Sequence, residues 1–179
     1  MLRLRLILEI AMNSIKLLLL YTTLLITCAY TQADTMENLP EQQIADVLDR
    51  FHLAAAQAKG DKYFALLTDE AVFIGTDAKE RWSKQEFEAY AKPHFSKGKG
   101  WSYLPRDRHT TVSADGQVAW FDELLDNKKY GECRGTGVLV KRGEQWLIAQ
   151  YHLTIPLPNA LAGGFTQRIS AYKKESKDQ

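Results

Sequence analysis

The sequence predicts an α+β domain in which a curved antiparallel sheet wraps around about three N-terminal helices. Three observations carry this. Apolar residues recur at three- and four-residue steps from Ile44 onward, the stripe of an amphipathic helix. From Trp101 the chain turns β-rich, with turn signals between alternating segments. Helices come first and a strand meander follows, with no internal repeat and no second such run. The 179 residues suit one domain, and 45% hydrophobic with 25% charged residues is ordinary for a globular chain. A formal net charge of +1 offers no field that would draw nucleic acid.

The N-terminus reads as an export signal over residues 1–33. Lys16 precedes the apolar run Leu17–Ile26, and Thr31-Gln32-Ala33 offers small residues for cleavage before Asp34. Met12 is an alternative start, because Met12–Lys16 makes a more usual basic head. The run is short for a span of roughly 20 apolar residues, so no stable membrane span is expected after cleavage. Leu25-Ile26-Thr27-Cys28 resembles a bacterial lipoprotein box, with Thr27 where a smaller residue is usual; plain cleavage is favoured over lipidation. The expected location is periplasmic or secreted. Cys133 is the only thiol beyond this segment, which excludes an internal disulfide in the mature chain.

In chain order, Pro40 suits the first turn of a helix carrying Ile44, Val47, Leu48, Phe51 and Ala55. Gly60 is expected to stop it, with His52 beside the stripe at the surface or boundary. Asp61 can cap a short second helix holding Tyr63, Phe64, Leu66 and Leu67. Ala71–Gly75 is a brief strand, residues 76–81 a polar loop, and Ser83–Glu86 fits a capping box opening a third helix whose length Pro93 limits. Lys97-Gly98-Lys99-Gly100 reads as a solvated turn. Trp101–Ser113 is a strand region with Pro105 at an edge or bend, Asp115-Gly116 a hairpin turn, and Gln117–Asp126 the next strand. Residues 133–140 and 145–153 form the last strand pair, and Pro156 and Pro158 end the sheet. Residues 159–179 form a weakly helical tail, broken at Gly163-Gly164 and charged at its end.

Side chains alternate across a strand, so Arg134, Thr136 and Val138 share a face, as do Trp146, Ile148, Gln150 and His152. An arginine, a glutamine and a histidine interleaved with apolar residues suggest the wall of a half-polar pocket. If the Trp120 face of residues 117–126 also looks inward, Asp122 joins them. Asp122 and His152 are then candidate proton carriers, and Trp120, Arg134 and Gln150 candidate ligand contacts. Structural pairing of Asp122 with Arg134, and of Gln150 with His152, accounts for the same residues without a ligand. The four histidines lack short metal-ligand spacing and no CxxC occurs, so no metal or other cofactor is expected. Cys133 reads as a packing residue.

The element order, together with Phe73–Asp77, Trp82–Lys84, Val118–Glu123, Arg134–Leu139, Trp146–Leu153 and Pro156–Asn159, resembles the SnoaL-like group of the nuclear transport factor 2-like superfamily. The resemblance covers residues 41–158 of an expected domain at 34–158. It implies a cone-like fold enclosing a pocket, with Asp77 and Trp82 at the mouth and His94 near it. Relatives include polyketide cyclases and ketosteroid isomerases, in which an acidic residue moves protons beside a carbonyl; this implies Asp122 or His152 as base and Arg134 as anion stabiliser. The implied ligand is a small apolar carbonyl-type molecule, and a homodimer through the outer sheet face is implied as well. A non-catalytic envelope module on the same fold is the alternative.

Overall fold

The computed structural model describes residues 39–176, so the expected export signal, Met12 and Cys28 lie outside the described residues. The chain divides into two units, residues 1–43 and 44–179. Of the first, only Leu39 to Gln43 is described: the Leu39 carbonyl accepts from Gln42 N and Gln43 N as the first helix begins. The order is α1 (Pro40–Ala56), α2 (Gly60–Phe64), β1 (Leu67–Ile74), β2 (Arg81–Ser83), α3 (Lys84–Phe95), β3 (Leu104–Val112), β4 (Val118–Asn127), β5 (Gly131–Arg142), β6 (Gln145–Thr154) and α4 (Asn159–Glu175). Helices come before the meander, so the α+β class holds.

The six strands form one curved sheet in the order β2-β1-β6-β5-β4-β3. All pairings are antiparallel except β1 with β6, which is parallel. β1 leaves the helical layer and slots in beside the last strand, a long-range pairing that local pattern does not encode. Pro105 lies on the edge strand β3, where a missing N–H is tolerated.

Local chemistry explains most of the element ends. Ser83 accepts from Glu86 N while Glu86 accepts from Ser83 N, closing the capping box of α3. α1 does not run to Gly60. It ends at Ala56, Ala58 adopts φ 55, and Lys59 N reaches back to the Ala54 carbonyl. Gly60 instead opens α2, and Asp61 sits in its first turn without capping it. α4 runs unbroken through Gly163 and Gly164, because a helical glycine costs only about 1 kcal/mol. Among the described residues no helix is long and apolar enough to cross a membrane.

The apolar stripe of α1 (Ile44, Val47, Leu48, Phe51 and Ala55) is buried as its spacing predicts, but so is His52. The core continues through Tyr63, Phe73 and Phe87 onto the inner sheet face, which carries Ala119, Phe121, Leu125, Cys133, Leu139, Ile148 and Tyr151. Two glycines of β5 make that face possible. An added Cβ at Gly137 would lie 2.3 Å from the Gln150 carbonyl oxygen and 2.7 Å from Phe121. At Gly135 it would lie 2.5 Å from the Tyr151 hydroxyl.

Gly137→Ala should therefore lower stability by about 1–3 kcal/mol through overpacking. Gly163→Ala, with open space around it, should raise it by about 0.5–1 kcal/mol through helix propensity. Urea midpoints at constant m-value measure both.

Candidate functional site

Two bulges determine which side chains enter the interior. On β3, Arg106 faces Leu124 and His109 faces Asp122, so one extra residue lies between them. Asp107, at φ 47, takes up the irregularity. Without it Arg108 would share the outer face of Arg106; with it Arg108 turns inward. On β6, Val138 faces Gln150 but Leu139 faces Ile148, leaving Ala149 unpaired. Trp146 and Ile148 point inward, the alternation then slips, and Tyr151 and Leu153 take the inner face instead of Gln150 and His152.

The slip takes Gln150 and His152 off the expected pocket wall, and Asp122 and Arg134 lie on the outer face of β4 and β5 without any slip between those strands. The inner face of β4 is Ala119, Phe121, Glu123 and Leu125, and that of β5 is Cys133, Gly135, Gly137 and Leu139. Asp122, Thr136 and His152 lie in one register row on the outer face, as do Trp120, Val138 and Gln150. The structure thus brings Asp122 and His152 to one row, away from the interior. Trp120 is 49% exposed, and Arg134 and Gln150 are exposed. Arg134 stands opposite Leu124, a residue pair away from Asp122. Asp77 is spent on its own turn, accepting from Lys79 N at 2.9 Å. His94 is exposed at the end of α3, with its ring 5.5 Å from that of Tyr90. Trp82 alone of the expected residues lines the cavity.

The cavity lies between the sheet and the helices and measures about 580 Å³. Its walls are aromatic: Phe73 stacks on Phe87 at 3.9 Å and Trp82 on Phe87 at 5.5 Å. His52 and Tyr151 line it too, with their rings 6.2 Å apart. Behind His52 lies Glu123, with no solvent exposure. His52 Nε2 is 2.6 Å from Glu123 Oε1, and Arg108 Nε donates to Glu123 Oε2 at 2.7 Å. Arg108 Nη1 also reaches the Ala45 carbonyl at 3.2 Å and Asp49 Oδ1 at 2.9 Å. The three side chains come from α1, β3 and β4, remote in sequence and joined only by the fold.

The electrostatics are consistent with a retained ion pair. Burial would lower the Arg108 pKa, but the charge of Glu123 and the hydrogen bonds to Glu123 and Asp49 outweigh it and hold the guanidinium above its ordinary value. A carboxylate accepting from Arg108 needs the imidazole proton on Nε2 for its second contact, which leaves Nδ1 of a neutral ring as the acceptor nitrogen. Tyr151 is pushed well above 10.0, first by burial and then by the Glu123 charge. Its phenol therefore stays protonated and keeps an O–H to donate. Tyr103 is raised to about 12, chiefly by burial.

Sequence reasoning passed over His52, Arg108, Glu123 and Tyr151. One signal pointed to the right face: Gly135 and Gly137, alternating within a strand, mark the side where bulky groups approach the backbone. That parity is opposite to Arg134 and Thr136. No local signal announces a bulge at Asp107 or Ala149.

Glu123→Gln removes the buried one of Arg108's two counter-charges, leaving the exposed Asp49, and should cost about 1–3 kcal/mol in urea unfolding. The raised tyrosines mean that the folded state keeps protons which the unfolded chain loses above pH 10.0, so stability is full below that value and falls as pH rises toward about 12. Tyr103→Phe should make this alkaline decline shallower, as read from urea midpoints between pH 9 and pH 11.5; an unchanged slope would contradict the assignment.

The comparisons with known proteins agree with this architecture. The model of the SnoaL-like domain matches residues 44–158, more than half of the chain. No curated protein matches the sequence. Among solved structures, a domain of unknown function with a cystatin-like fold from Nostoc punctiforme is similar at 16% identity and TM-score 0.59, covering 77% of this chain and 92% of that one. An NTF2-like protein of unknown function from Pseudomonas putida is similar at 15% identity and TM-score 0.57, over 66% and 88%. A protein proposed to be a dehydratase of the NTF2-like family, from Streptomyces avermitilis, is similar at 12% identity and TM-score 0.56, over 65% and 96%. At these identities the likeness is one of fold.

Proposed function

We propose, for a chain that belongs to the SnoaL-like domain family, that the aromatic cavity binds a small ring-containing ligand and performs acid–base chemistry beside its carbonyl. The observation that carries this is the position of His52: its ring lines the cavity while Nε2 is held at 2.6 Å by a fully buried carboxylate. A purely structural ion pair needs no histidine open to a cavity.

In this scheme the ligand ring lies against Phe73, Phe87 and Trp82, and its carbonyl oxygen accepts from the Tyr151 hydroxyl. Neutral His52 removes the proton next to the carbonyl through Nδ1. Negative charge then gathers on the carbonyl oxygen, while Glu123 stabilises the imidazolium. Return of the proton to the same or a neighbouring carbon regenerates the neutral ring. Arg108 is a positioning residue: it fixes Glu123, which fixes His52. These residues replace Asp122, His152 and Arg134 in the roles that the family resemblance implies.

Export to the periplasm or beyond belongs to the same reading, supported by Lys16, the Leu17–Ile26 run and the small residues before Asp34. Homodimerisation through the outer sheet face is supported by exposed Trp120 and Val118 there. The same exposed residues favour a second reading, a non-catalytic envelope module that docks a partner on this face and leaves the cavity idle.

Deuterium incorporation next to the carbonyl of 1-tetralone, followed by NMR in D2O, separates the two. The wild type should accelerate exchange and His52→Ala should lose about 10²-fold or more of that acceleration. Binding of cyclic ketones without any acceleration would remove the chemistry and leave a binding protein.

A further inference from the structure

The cavity is polar at both ends and aromatic between them. Its inner end holds His52 and Tyr151; its mouth is lined by Lys128 and Lys129 on the turn between β4 and β5, facing Tyr90 of α3. The mouth also has two acids: Asp126 pairs with a guanidinium, whereas Glu80 takes a backbone donor and keeps its charge. Asp126 accepts from Arg106 Nε at 3.3 Å, and Glu80 accepts from Asp77 N at 3.1 Å within its own turn. Lys129 lies 4.8 Å over the Tyr130 ring. Among the described residues Lys128 and Lys129 have no carboxylate partner. Around these ammonium groups the rim is exposed and apolar: Leu104 is 65% exposed, Tyr90 50% and Tyr130 44%.

The geometry points to an amphiphilic anion as the ligand of this cavity, with its ring system between the aromatic walls and a carboxylate or similar oxyanion held at the mouth by Lys128 and Lys129. The inference rests on the proposal that the cavity binds a ring-containing molecule, and adds the charge and orientation of that molecule. A ring of two or three fused members fits a space of about 580 Å³. With its anionic end at the lysines, the far end of such a ligand meets His52 and Tyr151. The orientation follows from where cations remain unmatched: at the inner end Glu123 already takes up the Arg108 charge, while at the mouth Lys128 and Lys129 have no carboxylate partner among the described residues.

Two fluorescent probes with the same rings test this: 1-anilinonaphthalene-8-sulfonate, an anion, and the neutral N-phenyl-1-naphthylamine. Energy transfer from the cavity residue Trp82, identified by its loss in Trp82→Phe, reports binding inside. The anionic probe should bind about fivefold more tightly than the neutral one. The combined Lys128→Gln and Lys129→Gln variant, or about 0.5 M salt, should erase that preference and leave the neutral probe unchanged. Equal affinity for both probes, unmoved by the lysine variant, would overturn the anion site while keeping the cavity as a binding site. Absence of Trp82-dependent transfer with both probes would overturn the anion site and the binding cavity together.

Discussion

The arrangement of this protein's interior depends on one carboxylate. Glu123 has no contact with water and stands on the inner face of a sheet otherwise lined by apolar side chains. A buried charge of this kind is tolerated only when its lone pairs are filled and its charge is matched. Arg108 supplies the charge and one donor, and His52 supplies the other. Because those partners come from an edge strand and the first helix, satisfying Glu123 ties α1 to the open side of the sheet.

That tie has a geometric cost, which the backbone meets with a bulge on each side of the site. At Asp107 the edge strand takes an extra residue so that Arg108 can turn inward, and at Ala149 the last strand slips so that Tyr151 replaces Gln150. The glycines of β5 remove side-chain volume where Phe121 and Tyr151 pass over it. Charge satisfaction, strand irregularity and missing Cβ atoms are thus parts of one solution. Its product is an aromatic cavity with a histidine in its wall and a carboxylate behind that histidine.

Under the proposed function, rigid elements make acid–base geometry from ordinary parts. His52 is fixed by a helix, Glu123 and Tyr151 by strands, and only the mouth is built from turns. Elements hold positions more firmly than loops do, which suits a proton carrier that must meet one particular atom. Under the proposed function, turns at the mouth suit a region that admits and sorts ligands. The outer sheet face, with its row of Asp122, Thr136 and His152, is chemically separate from this interior even though the two faces share every strand.

By itself the sequence determined the α+β class, the apolar stripe of α1, the capping box at Ser83, the turn at Asp115-Gly116 and the last strand pair. Each of these rests on neighbours a few residues apart, where helix period, capping chemistry and turn preference act directly. Tertiary structure decided the parallel insertion of β1, the burial of His52 and the face on which every polar strand residue lies. Alternation assigns residues to two faces but does not say which is inner, and one bulge reverses the answer for all that follows. Asp122, Arg134, Gln150 and His152 read as an interior wall for that reason. Glu123, one residue from Asp122, took the interior because Arg108 and His52 were there to receive it, and only a folded chain brings those three together.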